Sequence, residues 1–143
     1  MPAAVELAIT GQLDNLAQVQ EAVERFSEEE ELSSSSSYAL SLCLEELLTN
    51  IVMHAAPLSN AEISIAVSLA REGELVQVFI ADDGPAYDPT ASEEPDLDAL
   101  LDDRPIGGLG IHLVRALSSR FDYRHAGGRN QVSITLPRQA QSE

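Results

Sequence analysis

Residues 38–57 read YALSLCLEELLTNIVMHAAP, and this stretch decides the fold. Leu40, Leu44, Leu47, Leu48 and Ile51 recur at three- and four-residue steps, which predicts an amphipathic helix from about Tyr38 to Ala55. Pro57 stops it. On that helix Glu46, Asn50 and His54 follow one another at four-residue intervals, so they form a slowly drifting polar stripe beside the leucine face.

Outward from this helix, apolar periodicity alternates between the helical and the extended kind. Val5 to Ile9 alternate as a half-buried strand does, and after Gly11 the residues Leu13, Leu16, Val19, Val23 and Phe26 step at helical intervals. That helix runs out at the acidic stretch Glu28 to Glu31, and one serine of Ser33 to Ser37 is expected to cap the next. C-terminal to Pro57, Ile63, Ile65, Val67 and Leu69, then Leu75, Val76, Val78 and Ile80, predict a hairpin turning at Glu72-Gly73. From Gly84 to Ile106 regular patterning fades into four prolines and seven acids, Asp88, Glu93, Glu94, Asp96, Asp98, Asp102 and Asp103. A stretch of that length in a compact domain is a functional loop or a disordered one. Gly107-Gly108-Leu109-Gly110 then opens a short helix with Ile111, Val114 and Leu117, and Phe121 to His125 and Val132 to Leu136 make two more strands. Helices gathered on one face of an antiparallel or mixed sheet predict an α+β fold, a two-layer sandwich, and 143 residues suit one domain.

Composition narrows the partners. With 24 Asp plus Glu against 8 Lys plus Arg the formal charge is -16, which disfavours nucleic acid and anionic membranes. No run approaches the ~20 apolar residues of a membrane span, and Met1-Pro2-Ala3-Ala4 lacks the pattern of a secretory signal, so a cytoplasmic location is expected. Cys43, the single cysteine, stands between Leu42 and Leu44 and reads as a small core filler.

Three constellations carry chemistry, each weak alone. In the helical stripe an Asn oxygen suits the octahedral shell of Mg²⁺, and a Glu one turn away suits proton abstraction from an attacking hydroxyl or water. The same stripe would equally serve as the solvated side of an amphipathic helix. Asp82-Asp83-Gly84 closes an apolar strand, where a carboxylate can accept a hydrogen bond from an exocyclic amine such as adenine's, or simply begin a turn. The glycines of Gly107-Gly108-Leu109-Gly110 permit close backbone approach to phosphates at a helix N-terminus.

Their order is more informative than any one of them. An E-x-x-x-N helix, a D-x-G strand end and a G-G-L-G-I helix start resemble the N, G1 and G2 boxes of the GHKL, or Bergerat-fold, ATPase superfamily, and the match covers nearly the whole chain. Within it the chain resembles most the anti-sigma factor serine/threonine kinases, through Glu46 to His54, Asp82 to Pro89, and Arg104-Pro105-Ile106-Gly107-Gly108-Leu109-Gly110-Ile111. The resemblance implies ATP and Mg²⁺ as cofactors, with Asn50 holding the metal, Asp82 binding the adenine amine and Gly84 making room for the base. Gly107, Gly108, Leu109 and Gly110 would pass the phosphates, Arg104 would contact them, and residues of about 88–106 would form an ATP lid. Glu46 stands where histidine-kinase domains usually carry Asn, and an acid there suits a serine hydroxyl that needs a general base.

The resemblance further implies phosphorylation of a STAS-type anti-anti-sigma protein, sequestration of a sigma factor or another regulated protein, and a homodimer. A non-catalytic, nucleotide-dependent protein-binding switch of the same fold is the alternative. The chain departs from the family pattern in Ala55-Ala56 after His54, and in Gly128-Arg129-Asn130-Gln131 where many members place Gly-Thr. The last strand is therefore left out of the expected site.

Overall fold

Three glycines set the hairpins. Gly127 and Gly128 have φ of 60° and 74°, and a two-residue turn with positive φ at both positions matches the right-handed twist of paired strands. Gly73, at 61°, opens the other tight turn. The computed structural model of the chain describes residues 4–10, 15–55, 63–91 and 109–139.

The elements are β1 (Ala4–Thr10), α1 (Leu16–Glu29), α2 (Ser34–Asn50), β2 (Ser64–Glu72), β3 (Leu75–Asp82), α3 (Leu109–Leu117), β4 (Arg120–Ala126) and β5 (Arg129–Pro137). The sheet has five strands in the order β1-β2-β3-β5-β4, and every neighbouring pair is antiparallel. The fold is therefore the expected α+β sandwich.

The helices lie on one face because alternation leaves only that face apolar. Register pairs Val67 with Ile80 and Ile80 with Val132, and these residues are buried together with Val78, Ile134 and Leu136. Against them pack Val19, Val23 and Phe26 of α1, Leu40, Cys43, Leu44, Leu47 and Leu48 of α2, and Ile111 and Val114 of α3. Cys43 is fully buried, as expected of a core filler, and burial followed by the nearby Glu46 charge pushes its thiol up to about 12. A thiol that stays protonated is inert.

Helix α2 begins four residues before Tyr38. Ser33 is its cap, the hydroxyl accepting from the Ser36 amide at 3.2 Å, which lets the following serines enter the helix. Its far end also differs: α2 stops at Asn50 and the chain continues as one π turn over Ile51–Ala55. Such single-turn widenings frequently mark functional positions, and this one starts at the residue after the expected metal ligand.

Candidate functional site

The C-terminal half of α2, the end of β3 and the start of β5 converge. Leu47, Asn50 and Ile51 meet Ile80, Asp82, Asn130 and Val132 around a pocket closed by Tyr87 and Pro89. Apolar walls from both layers with Asp82, Asn50 and Asn130 projecting among them have the character of a small-molecule site. It is narrow, with free space for about one water molecule.

Asp82 is 3% exposed, and among the described residues it makes no salt bridge. Its Oδ1 accepts the Gly84 amide and the Asn130 Nδ2, each at 2.9 Å, while among the described residues no hydrogen bond is made to Oδ2. Burial raises its carboxyl above the ordinary aspartate value. The Asn130 and Gly84 hydrogen bonds oppose this, the neighbouring Asp83 adds to it, and His125 opposes it. Gly84 is required for close approach: a Cβ there would stand 2.6 Å from Ile63 Cδ1 and 3.1 Å from Asp82 Oδ1.

Glu46 and Asn50 occupy successive turns of α2, half-buried. The Glu46 carboxylate lies against the first turn of α3, where a Cβ built on Gly110 would stand 2.7 Å from Glu46 Cδ and overlap its Oε2. Thus Gly110 gives its space to an acid as well as to any phosphate. Burial, then the adjacent Glu45, raises the Glu46 carboxyl above its ordinary value. Among the described residues no group of three His, Cys, Asp or Glu is placed to hold a metal ion.

Of the expected site residues, then, the structure brings together Glu46, Asn50, Asp82, Gly84 and Gly110. Arg104, Gly107 and Gly108 lie outside the described residues, as do the Leu109 side chain, the His54 side chain and residues 92–106 of the expected lid. The described start of that segment is held in place. The Asp88 carboxylate accepts from Thr90 N at 2.8 Å, Pro89–Ala91 form a 3-10 turn, and Arg115 of α3 donates to the Thr90 carbonyl.

Asn130 is the residue that motif reading missed. It is 2% exposed and hydrogen-bonded at both ends of its amide. Nδ2 donates to Asp82 Oδ1 at 2.9 Å and to the carbonyls of Pro85 at 2.8 Å and Gly84 at 3.3 Å. Oδ1 accepts the Tyr87 amide at 3.0 Å and the Tyr123 hydroxyl at 2.5 Å. The signal was present in the strand: Asn130 shares parity with Val132, Ile134 and Leu136, so alternation already points it inward.

Residues 9–136 match the family model described as the histidine kinase-like ATPase domain. The serine/threonine-protein kinase BtrW of Bordetella bronchiseptica is 36% identical over 103 residues, 72% of either chain. Among solved structures, the RsbU and RsbW domains of Rv1364c from Mycobacterium tuberculosis superpose with a TM-score of 0.61 at 17% identity. That alignment covers 94% of this chain and 32% of the mycobacterial one, so the chain spans about a third of that protein's length. The SiaB-SiaC complex from Pseudomonas aeruginosa follows with a TM-score of 0.55 at 18% identity, covering 91% of this chain and 88% of that one. The catalytic domain of the histidine kinase ThkA gives 0.53 at 12% identity, over 97% and 99%.

Proposed function

Because the chain belongs to the histidine kinase-like ATPase domain family, we propose that it is an ATP-binding serine/threonine protein kinase of the anti-sigma type, which phosphorylates a STAS-type antagonist protein in a partner-switching pathway. One observation carries the reading: an acid, Glu46, stands one turn before Asn50 with its carboxylate at the first turn of α3, where a helix N-terminus favours phosphate. The 36% identity to a protein named as a serine/threonine kinase, and the fold shared with a chain solved as the SiaB-SiaC complex, support a protein substrate.

The roles follow from the chemistry of each group. Asp82 Oδ2, which accepts no hydrogen bond among the described residues, accepts the exocyclic amine of adenine, and Leu47, Ile51, Ile80 and Val132 line the flanks of the base. Asn50 supplies one neutral oxygen to Mg²⁺, which offsets the charge of the phosphates. As the serine oxygen of the partner bonds to the γ-phosphorus, its proton passes to the Glu46 carboxylate. The bond from phosphorus to the bridging oxygen breaks and ADP leaves. A carboxyl raised above the ordinary range is a better acceptor for that proton than an unperturbed one.

Incubating the parent and Glu46→Gln with labelled ATP and a STAS-domain protein as candidate substrate tests the proposal. Serine phosphorylation by the parent, reduced about 10²-fold or more in Glu46→Gln at equal ATP affinity, is the expected result. ATP binding without phosphorylation by either protein defeats the kinase reading and leaves a nucleotide-gated binding module.

A further inference from the structure

The geometry points to Asn130 as a positioning residue for base selection, turning Asp82 so that one carboxylate oxygen alone is left to read the purine. This rests on the ATP-binding reading and goes beyond it, since no motif expectation assigned the last strand a role.

The hydrogen-bond inventory makes the argument. A carboxylate has about four acceptor sites, and a rotating one would offer either oxygen to a ligand. Here the Gly84 amide and the Asn130 amide both saturate Oδ1, one from the chain two residues on and one from a neighbouring strand. The two donors define the plane of the group, and Oδ2 is left in a fixed direction. Asn130 cannot rotate away to release it. Its own oxygen is held by the Tyr87 amide and the Tyr123 hydroxyl, and its nitrogen by two further carbonyls. Threonine could offer Asp82 one donor but could not also reach both sides of the Gly84–Tyr87 turn. Asn130 therefore ties the reading carboxylate and the pocket-closing Tyr87 to one strand position.

A fixed, ionised Oδ2 accepts from the amine of adenine and repels the carbonyl oxygen that guanine and hypoxanthine present at the same ring position. Sites built around a specific hydrogen bond discriminate far more strongly than apolar pockets do. The Asn130 donor also favours the charged form of Asp82 against the effect of burial. The other charged groups acting on this carboxylate are Asp83, the residue after β3, and His125 from β4, and Tyr123 of β4 stands on the far side of the Asn130 amide. From α2 it is faced by neutral Asn50, with Glu46 one turn further on. Without the Asn130 donor, Asp82 takes up its proton at higher pH and then donates rather than accepts.

The test compares ATP with inosine triphosphate, which carries a carbonyl in place of the amine, on the full-length parent, Asn130→Ala and Asn130→Asp. Titration calorimetry is run between pH 5.5 and 8, with a melting curve for each protein. The parent is expected to prefer ATP by about 10²-fold or more. Asn130→Ala should narrow that ratio about tenfold, and the acid-side loss of its ATP affinity should start at higher pH. Asn130→Asp keeps the two acceptor bonds but sets a second carboxylate against Asp82, and should abolish or invert the preference. A purely structural Asn130 would lower the melting temperature and weaken both nucleotides equally, leaving the ratio and the pH profile at parental values; that outcome overturns the inference while the ATP reading stands. A folded parent that binds neither nucleotide overturns both.

Discussion

Replacing Gly110 by alanine separates catalysis from folding in a way the structure allows to be worked through. The added methyl would overlap the Glu46 carboxylate, with Glu46 Cδ 2.7 Å and Cγ 3.2 Å away, and no other atom is nearer. The obstacle is the far end of a flexible side chain, so the carboxylate swings aside and the backbone stays. Rotation into a poorer rotamer costs about 0.5–1.5 kcal/mol, while alanine in place of glycine favours a helix by about 0.5–1 kcal/mol. The terms nearly cancel, and the melting temperature should shift by no more than about 4 °C in a chain of this size. Loss of a general base costs about 10²–10⁴ in rate, the equivalent of roughly 3–5.5 kcal/mol on the barrier. Phosphoryl transfer to the STAS protein, measured in single turnovers at saturating ATP, should therefore fall at least 10²-fold in Gly110→Ala, and no further when Glu46→Gln is added. A transfer rate within about threefold of the parent at saturation would refute the catalytic placement of Glu46. Gly110 would then matter through phosphate contact alone, visible as weaker ATP binding.

Asp82→Asn should lower ATP affinity by about 10²-fold or more, yet leave the melting temperature at pH 7 equal to or above the parent's, because it removes a buried charge that desolvation disfavours. The sign follows from linkage. A carboxyl raised in the folded state holds its proton there at pH values where the unfolded chain has lost it, so this contribution to stability falls as pH rises through that interval, and Asp82→Asn should flatten that part of the profile. Gly84→Ala should destabilise by about 1–3 kcal/mol, since its methyl meets Ile63 and the Asp82 oxygen in a packed interior, and chemical denaturation reads it directly. Glu31, just past the Glu30 cap of α1, has φ of 54°, a left-handed conformation that favours glycine, so Glu31→Gly should gain about 0.5–1 kcal/mol in the same assay with nucleotide binding unchanged.

The fold was legible because each element carries its own period. The leucine stripe of α2 and the alternation of β2, β3 and β5 are strong enough that tertiary context had nothing to override. What escaped was settled by short-range competition. The start of α2 was read too late because a serine run looks like a loop, and serines inside a helix become visible only once Ser33 is known to satisfy the first amides. The π turn after Asn50 leaves no mark in an apolar pattern that continues through Ile51 and Val52.

The site was legible in proportion to how far each function depends on a motif residue's own side chain. The roles proposed for Glu46, Asn50 and Asp82 rest on groups whose chemistry is visible by name; Asn50 and Asp82 line one pocket, and Glu46 stands one turn from Asn50 on α2. Asn130 acts by holding something else, and a residue of that kind is free to change identity so long as donors and acceptors balance. Motif comparison marked it as a departure for that reason. Strand parity marked it correctly, since a polar side chain at an inward position among valines and leucines is costly unless its partners are also inside. At the end of β3 those partners are the carboxylate that burial has raised and the turn that closes over it. The same neutral amide thus offsets part of the cost of burying Asp82 and leaves its second oxygen turned toward the pocket.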